Sequence, residues 1–357
     1  MNILFLVPYP LKESPSQRFR FEQYFQILLD QGHSYRVQSF LNDHNWRRFA
    51  EPGKIFSKTI VLLKGFTRRF LILTTLITFD FVFIHREATP VGPPVFEWLI
   101  ARVFRKRIIY DFDDALWLTD RPQESLFLKT IKWRSKIKAI CKWSYQVSCG
   151  NHFLCRYALR FNKDVIYNPT TVDTEQLHNP EGIPRSSGNG ITVGWTGSNS
   201  TLKYLKPIEK SLREIEARFP FVKFMVIADQ RPSLNLNRLI FRPWNIDTEI
   251  ADLNQFDIGV MPLPDDEWAR GKCGFKTLQY MALEIPTIAS PVGVNTSVID
   301  HGVNGFLASS PEDWDKYFAL LIANKDLRLE VGKMGRKKVM DHYSVRSNES
   351  RFLSLFA

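Results

Sequence analysis

The chain has 357 residues, 44% of them hydrophobic, with 48 Lys and Arg against 37 Asp and Glu. The length accommodates two ordinary domains and the apolar content fills two cores, so a globular two-domain protein is expected. Four cysteines, Cys141, Cys149, Cys155 and Cys273, form no C-x-x-C pair. This indicates neither a zinc site nor a disulfide framework and points to reduced, cytoplasmic thiols. The charge is one-sided. Residues 1–172 carry 26 basic and 14 acidic side chains, a net +12, whereas residues 173–357 carry 22 and 23, a net −1. A basic half points to an acidic surface, a membrane or nucleic acid, and no recognisable nucleic-acid module accompanies it.

MNILFLVPYP lacks a charged leader and is cut by Pro8 and Pro10, so Met1 to Val7 reads as a first strand rather than a signal peptide. SPSQRFRFEQY then opens a helix, with Ser14 or Ser16 as cap and Pro15 in the first turn. In a parallel α/β sheet this helix start lies at the carboxyl edge, where ligands bind. Arg18 and Arg20 there either hold an anionic acceptor or lie on the surface beside Glu13 and Glu22. Residues 34–40 alternate as a second strand. Trp46 to Leu76 is basic and apolar together, the pattern of a helix lying on a membrane or of a core helix with a charged outer face. The longest apolar run, Phe70 to Ile84, is broken by Thr74, Thr75, Thr78 and Asp80. Crossing a bilayer takes about 20 apolar residues, so no transmembrane helix is expected. Phe79 to Ile84 is the next strand, with His85, Arg86 and Glu87 at its carboxyl end. Arg107 to Tyr110 is another, followed by Asp111, Asp113 and Asp114, and acids at such a strand end suit chemistry better than packing. Residues 129–142 are strongly basic, Val147 to Gly150 and Val165 to Thr170 are further strands, and 180–190, rich in Pro, Gly and Ser, reads as a linker.

Ile191 to Trp195 opens the second half. It runs into a small-residue turn, Thr196 to Thr201, and a helix bearing Lys203, a pattern that cradles phosphate. Phe224 to Ile227 and Ile240 to Arg242 are strands, and Trp244 beyond them either flanks a nucleobase or packs in the core. Ile258 to Met261 and Pro286 to Ser290 are two more strands, joined by a helix over 275–285 in a βαβ unit. Leu278, Met281, Ala282 and Ile285 give this helix a core-facing stripe, and Lys276 and Gln279 share a neighbouring face. The loop before it, Gly271-Lys272-Cys273-Gly274, supplies backbone N–H groups and a cation at a helix N-terminus, which suits a phosphate. Helices around Trp314 to Ile322 and Leu327 to Met340 follow, then a terminal helix after His342-Tyr343-Ser344.

GKCGFKTLQYMALEIPTIASPVGVN, followed by HGVNGFL, resembles the donor-site segment of group 1 (family 4) retaining glycosyltransferases, and PSQRFRFEQY is similar to the matching segment in a subset of them. The resemblance implies an α/β protein of GT-B fold, two Rossmann-like doubly wound parallel-sheet domains facing a central cleft. Residues 1–172 would bind the acceptor, 173–190 link, 191–340 bind the nucleotide sugar, and 341–357 return to the first domain as a C-terminal helix. It implies hexosyl transfer with retention to a glycan or lipid-linked acceptor in cell-surface synthesis, with no cofactor, no required metal and no nucleic acid. The protein would work as a peripheral protein at the cytoplasmic, anionic face of a membrane. Asp113, Lys203 and Lys276 are the catalytic candidates, the lysines stabilising the leaving diphosphate. Gly197, Ser198, Trp244, Lys272, Gly274, Phe275 and Gln279 fall to the donor, and Arg18, Arg20, His85, Arg86 and Glu87 to the acceptor.

The sequence also departs from the family pattern. Many members carry two Glu eight residues apart, where this chain has Gly271 and Gln279. Asp265, Asp266 and Glu267 are candidates to replace the first, and the Gln279 amide can still bond a ribose. Asp113 stands where the family often has His, Trp195 lies near the place of an Arg that usually partners Lys203, and Glu284 replaces a helix-ending Gly. These departures keep two rivals in view, a nucleotide-sugar-binding protein without catalysis and a sugar-nucleotide epimerase of the same fold.

Overall fold

The computed structural model describes residues 1–50, 55–120, 123–182 and 190–357. Residues 183–189 of the expected linker and 51–54 of the basic apolar stretch lie outside the described residues. The chain divides into two compact units, one of residues 1–170, 271–273 and 348–357, the other of 171–270 and 274–347.

The first unit is built on six parallel strands, β1 (Asn2–Val7), β2 (Ser34–Ser39), β3 (Phe81–His85), β4 (Arg107–Phe112), β5 (Gln146–Cys149) and β6 (Val165–Tyr167), in the order β2-β1-β3-β4-β5-β6. β1 and β3 are apolar along almost their whole length and buried, as strands covered on both faces must be. The order reverses between β1 and β3, and the crevice at the carboxyl ends of such strands is where doubly wound sheets take ligands. Three helices concern us: α1 (Pro15–Arg20), α2 (Ile55–Leu73) and α3 (Leu126–Lys132). β4 runs two residues further than expected, so the first of the three acids, Asp111, lies inside the sheet. A charged residue is tolerated there because a buried arginine meets it, as described below.

The inner face of α2 is a core face. Val61 and Ile72 are buried, and Gly65 packs on the Phe40 ring with no room for a Cβ. Buried Arg69 donates to the carbonyls of Val7, Gln38 and Ala88. Its outer face is mixed, with large apolar side chains exposed alongside Lys64. Phe56, Leu63 and Leu71 are 80%, 62% and 63% exposed. Among the described residues no helix is long and apolar enough to cross a membrane. The chain's end belongs to this unit, where Phe352 stacks on Tyr24 at 4.1 Å and Phe356 joins the Phe5 and Phe83 cluster.

The second unit has strands β7 (Ile191–Thr196), β8 (Val222–Ala228), β9 (Leu239–Pro243), β10 (Ile258–Met261), β11 (Thr287–Ala289) and β12 (Phe306–Leu307), parallel in the order β12-β11-β10-β7-β8-β9. This is the dinucleotide-fold order, with its switch point between β7 and β10. Helix α4 (Phe275–Ala282) links β10 to β11, and α5 (Lys325–His342) packs against it. α4 stops three residues short of the expected Ile285. Ile285 N–H bonds the Tyr280 carbonyl and Glu284 N–H bonds that of Met281, a left-handed helix stop centred on Glu284 at φ 56°. A non-glycine residue there carries about 1 kcal/mol of strain, so Glu284→Gly is expected to raise the urea midpoint, whereas Gly332→Ala, whose Cβ would strike the Glu284 carbonyl, is expected to lower it.

Candidate functional site

In the second unit the end of β7 and the start of α4 meet. Tyr280, the sixth residue of α4, points back so that its buried hydroxyl accepts the Thr196 N–H at 2.9 Å. Its ring lies on Gly259, where a Cβ would stand 2.5 Å from it, so a glycine in β10 lets the helix sit this close. The lock sets the first turn of α4 beside the β7 terminus, and Lys276 Nζ stands 5.5 Å from the centre of the Trp195 ring. Gly274 precedes α4 at φ 69°, a conformation glycine adopts freely, and a Cβ there would stand 2.6 Å from Val294. Of the eight helix residues only Phe275 and Lys276 are not buried. Two stretches read separately as phosphate sites, the Gly197-Ser198 turn and the Lys276 turn, thus converge on the carboxyl end of one strand.

Other readings change. Gln279 does not share an open face with Lys276, because α4 is covered on nearly all sides. It is fully buried, with Nε2 3.2 Å from His178 Nε2 and 3.4 Å from Glu249 Oε1. Trp244 is half-buried and its indole N–H donates to the same Glu249 oxygen at 3.2 Å, which ties it to this buried row. The helix after Ser198 is only Asn199–Leu202, passing into a 3₁₀ turn that carries the exposed Lys203. Its first amides are already taken, Ser198 N–H by Thr201 Oγ1 and Asn199 N–H by the Asp229 carboxylate. Asp265 pairs with Arg270 at 2.7 Å and Asp266 caps Ala269, so both have local partners. Lys272 belongs to the first unit, where its ammonium lies 3.8 Å from Asp114.

In the first unit, residues from α1, the β3 end and β4 form one polar cluster at the switch point. Arg20 is buried and donates to both oxygens of Asp111 and to the Asn168 carbonyl. It is neither open to an anionic acceptor nor on the surface with Glu22. Burial alone raises the Asp111 pKa, but Arg20 and then His85 outweigh it and hold the carboxyl well below its usual range. His85 is also fully buried, between Asp111 Oδ2 and Ser16 Oγ, each at 2.8 Å. Arg86 has φ 63°, rare for a side chain of its size. From there its guanidinium reaches Asp113 at 3.3 Å and Asp114 at 3.1 Å. Burial raises the Asp113 pKa, and Arg86, His85 and the Ser16 hydroxyl bring it below the ordinary value. Glu87 pairs with Lys136 at 2.7 Å, and the Arg18 guanidinium lies over the Phe19 ring at 4.9 Å. Among the described residues no group of three or more His, Cys, Asp or Glu is placed to hold a metal ion.

Residues 191–324 match the family described as "Glycosyl transferases group 1". Over this stretch the chain is similar to group 1 glycosyltransferases. No curated protein sequence matches the chain. Solved structures match it along its length at low identity. Sucrose-phosphate synthase from Thermosynechococcus elongatus is 14% identical, covers 100% of this chain and 98% of its own, and has a TM-score of 0.70. A glycosyltransferase from Rickettsia africae is 13% identical, with coverage of 99% and 97% and the same score. Anabaena HepE, solved in complex with UDP, is 13% identical, covers 99% of each chain and scores 0.62. At such identities these likenesses establish the GT-B fold.

Sequence reasoning missed several members of both clusters. In the second unit these are Asp229, Glu249 and His178. Asp229 directly follows β8, so the rule that strand ends carry chemistry was available for it. Glu249 and His178 gave no local signal. In the first unit Ser16 was visible only as a helix cap, and Ser148, which donates to Asp111 at 2.6 Å, not at all.

Proposed function

We propose that the protein is a retaining, metal-independent hexosyltransferase that moves a sugar from a nucleotide-sugar donor to an acceptor hydroxyl in cell-surface glycan or glycolipid synthesis. The observation that carries this reading is the convergence of the Gly197 turn and Lys276 on the β7 end within the stretch similar to group 1 glycosyltransferases. Cation and helix N-terminus together suit a diphosphate whose charge grows as the glycosidic bond breaks. HepE has been solved with UDP and with UDP-glucose, which supports a uridine-linked hexose as the first donor to try. Incubation with a panel of nucleotide sugars, read as release of nucleoside diphosphate and as anomeric configuration of the product, tests it. Binding of a nucleotide sugar with no release of diphosphate in the presence of any acceptor would favour the non-catalytic reading, for which the buried amide at position 279 speaks.

We assign the first unit to the acceptor and to an anionic membrane surface. Phe56, Leu63 and Leu71 on α2, and Leu126 and Phe127 on α3 at 81% and 72% exposure, are presented next to Lys64, Lys129 and Lys132 in the half that carries the whole charge excess. Apolar side chains interleaved with cations bind anionic bilayers, each basic residue adding about 1 kcal/mol. The protein is expected to sediment with anionic vesicles at low salt and to be released at high salt, and Phe56→Ser with Leu126→Ser should weaken binding. Equal sedimentation with neutral vesicles would contradict the assignment.

A further inference from the structure

Four side chains of the first unit, from three separate stretches of chain, stand in series. Asp111 Oδ2 is 2.8 Å from His85 Nδ1, His85 Nε2 is 2.8 Å from Ser16 Oγ, and Ser16 Oγ is 2.6 Å from Asp113 Oδ2. The inner pair is fully buried, and the outer pair, Ser16 and Asp113, is partly exposed at the carboxyl ends of the strands. A row that begins in the core and ends at the switch point has the course of a conduit rather than of a surface network.

Counting hydrogens shows what the row can hold. His85 Nδ1 faces a carboxylate, so it carries a hydrogen. In the neutral ring Nε2 is then bare. The Ser16 hydroxyl has one hydrogen but faces two acceptors, that bare nitrogen and Asp113 Oδ2. One hydrogen cannot fill both places, and one added proton fills both. It has two seats. With the carboxyl of Asp113 protonated, Asp113 donates to Ser16 and Ser16 donates to His85. With the imidazolium formed, His85 donates to Ser16 and Ser16 donates to Asp113. The two states interconvert by two short hops along hydrogen bonds already in place. Arg86 Nη1, 3.4 Å from Ser16 Oγ and 3.3 Å from Asp113 Oδ1, steadies the outer end. The order of the inner three resembles a serine nucleophile with its base and orienting acid. The carboxylate 2.6 Å from Ser16 argues against that role, because an attacking alkoxide there would meet a second negative charge.

We propose that Asp111, His85, Ser16 and Asp113 form a proton relay for the transfer reaction, with Asp113 as its mouth and His85 as its store. This rests on the glycosyl-transfer reading above. As the acceptor oxygen bonds the anomeric carbon, its O–H bond breaks and the proton passes to Asp113. The nucleoside diphosphate leaves with the electron pair of the glycosidic bond. Asp113 hands its proton to Ser16 Oγ while Ser16 hands its own to His85 Nε2, so Asp113 is again a carboxylate and His85 is an imidazolium facing Asp111. After the product leaves, the same path returns the proton to water. Ser16 and His85 are therefore positioning residues, and only Asp113 meets the substrate.

The relay makes the protonation of His85 depend on Asp113. The other charged and titratable groups facing the row are Arg20 and Glu22 from the α1 side, Tyr9 after β1, Arg86 after β3, Asp114 after β4, and Cys273. None of them is altered by the test. The full-length protein labelled with ¹⁵N-histidine is titrated by two-bond ¹H–¹⁵N correlation, which reports hydrogens on Nδ1 and Nε2 separately. Asp113→Asn is expected to change the hydrogen occupancy of His85 Nε2, because the carboxylate that shares the added proton through Ser16 is gone. Ser16→Ala is expected to break the Nε2 hydrogen bond and cut kcat about 100-fold with little change in KM or melting temperature, and Ser16→Thr, which keeps the hydroxyl, to recover most of it. A His85 titration indifferent to Asp113→Asn, wild-type kcat in Ser16→Ala, or covalent labelling of Ser16 by a fluorophosphonate would overturn the relay. Coupling of His85 to Asp113 in a protein that uses no nucleotide sugar would uphold the relay and overturn the transfer reading.

Discussion

Replacing Arg20 by leucine is expected to destabilise the protein by about 3–5 kcal/mol, the cost of leaving a buried charge without its partner. Arg20 and Asp111 are fully buried, and the Arg20 guanidinium meets both carboxylate oxygens. Ser148 and His85 also bond Asp111, but neither replaces a fixed positive charge. The double variant Arg20→Leu, Asp111→Leu should recover part of the loss, because removing both charges leaves nothing uncompensated. The pH dependence has a definite sign. The folded-state pKa of Asp111 lies below its unfolded value of about 3.9. Its contribution is therefore fully present above the unfolded pKa and is lost as pH falls through the folded one. Without Arg20 the largest influence opposing burial is gone and the carboxyl moves upward, so the gap between wild type and variant should be wider at pH 7 than near pH 4. Urea unfolding followed by circular dichroism at both values measures it, and a gap that does not change with pH would contradict the account.

Lys276→Met is expected to lower turnover about 100-fold and to weaken binding of the free nucleoside diphosphate. The substitution keeps the alkyl stem and removes only the ammonium, which stands 5.5 Å from the centre of the Trp195 ring. At the first turn of α4 that charge adds to the helix's own positive end. The leaving diphosphate gains negative charge as the bond to the sugar breaks, so the lysine favours the transition state over bound donor. A donor of this kind is worth about 3 kcal/mol, or two decades in rate. Lys272→Met should cost less, since that ammonium stands beside Asp114 in the first unit. A fall in kcat together with kcat/KM would show an interaction realised in the transition state, whereas a rise in KM alone would show simple donor binding. Wild-type turnover and nucleotide affinity in Lys276→Met would remove the phosphate assignment.

The strands of both sheets were legible in the sequence because parallel strands covered on both faces are short apolar runs, and Ile258–Met261 has the expected limits. β12 is only two residues long and gave no such run. The turn at Gly197 and the start of α4 were legible too, since glycines and a lysine at strand and helix ends have few structural uses. What pattern could not supply was the direction of individual side chains. Helical spacing put Gln279 beside Lys276, but spacing does not tell how many faces of a helix are covered. Arg20 reads as a surface residue in its own segment, and its partner lies 91 positions away. The Asp111, His85, Ser16 series has the same property, for it exists only where α1, β3 and β4 come together.

The most direct test of the central claim, that the second unit holds a nucleotide sugar through the Gly197 turn and Lys276, is the melting temperature of the full chain against a panel of nucleoside diphosphates and nucleotide sugars. A ligand that binds only the folded state at 100 times its Kd stabilises by about 2.7 kcal/mol. The account predicts a clear rise with at least one nucleoside diphosphate, a comparable rise with its sugar conjugate, and loss of both in Lys276→Met. No shift with any member of the panel, or a shift that Lys276→Met leaves intact, would contradict it.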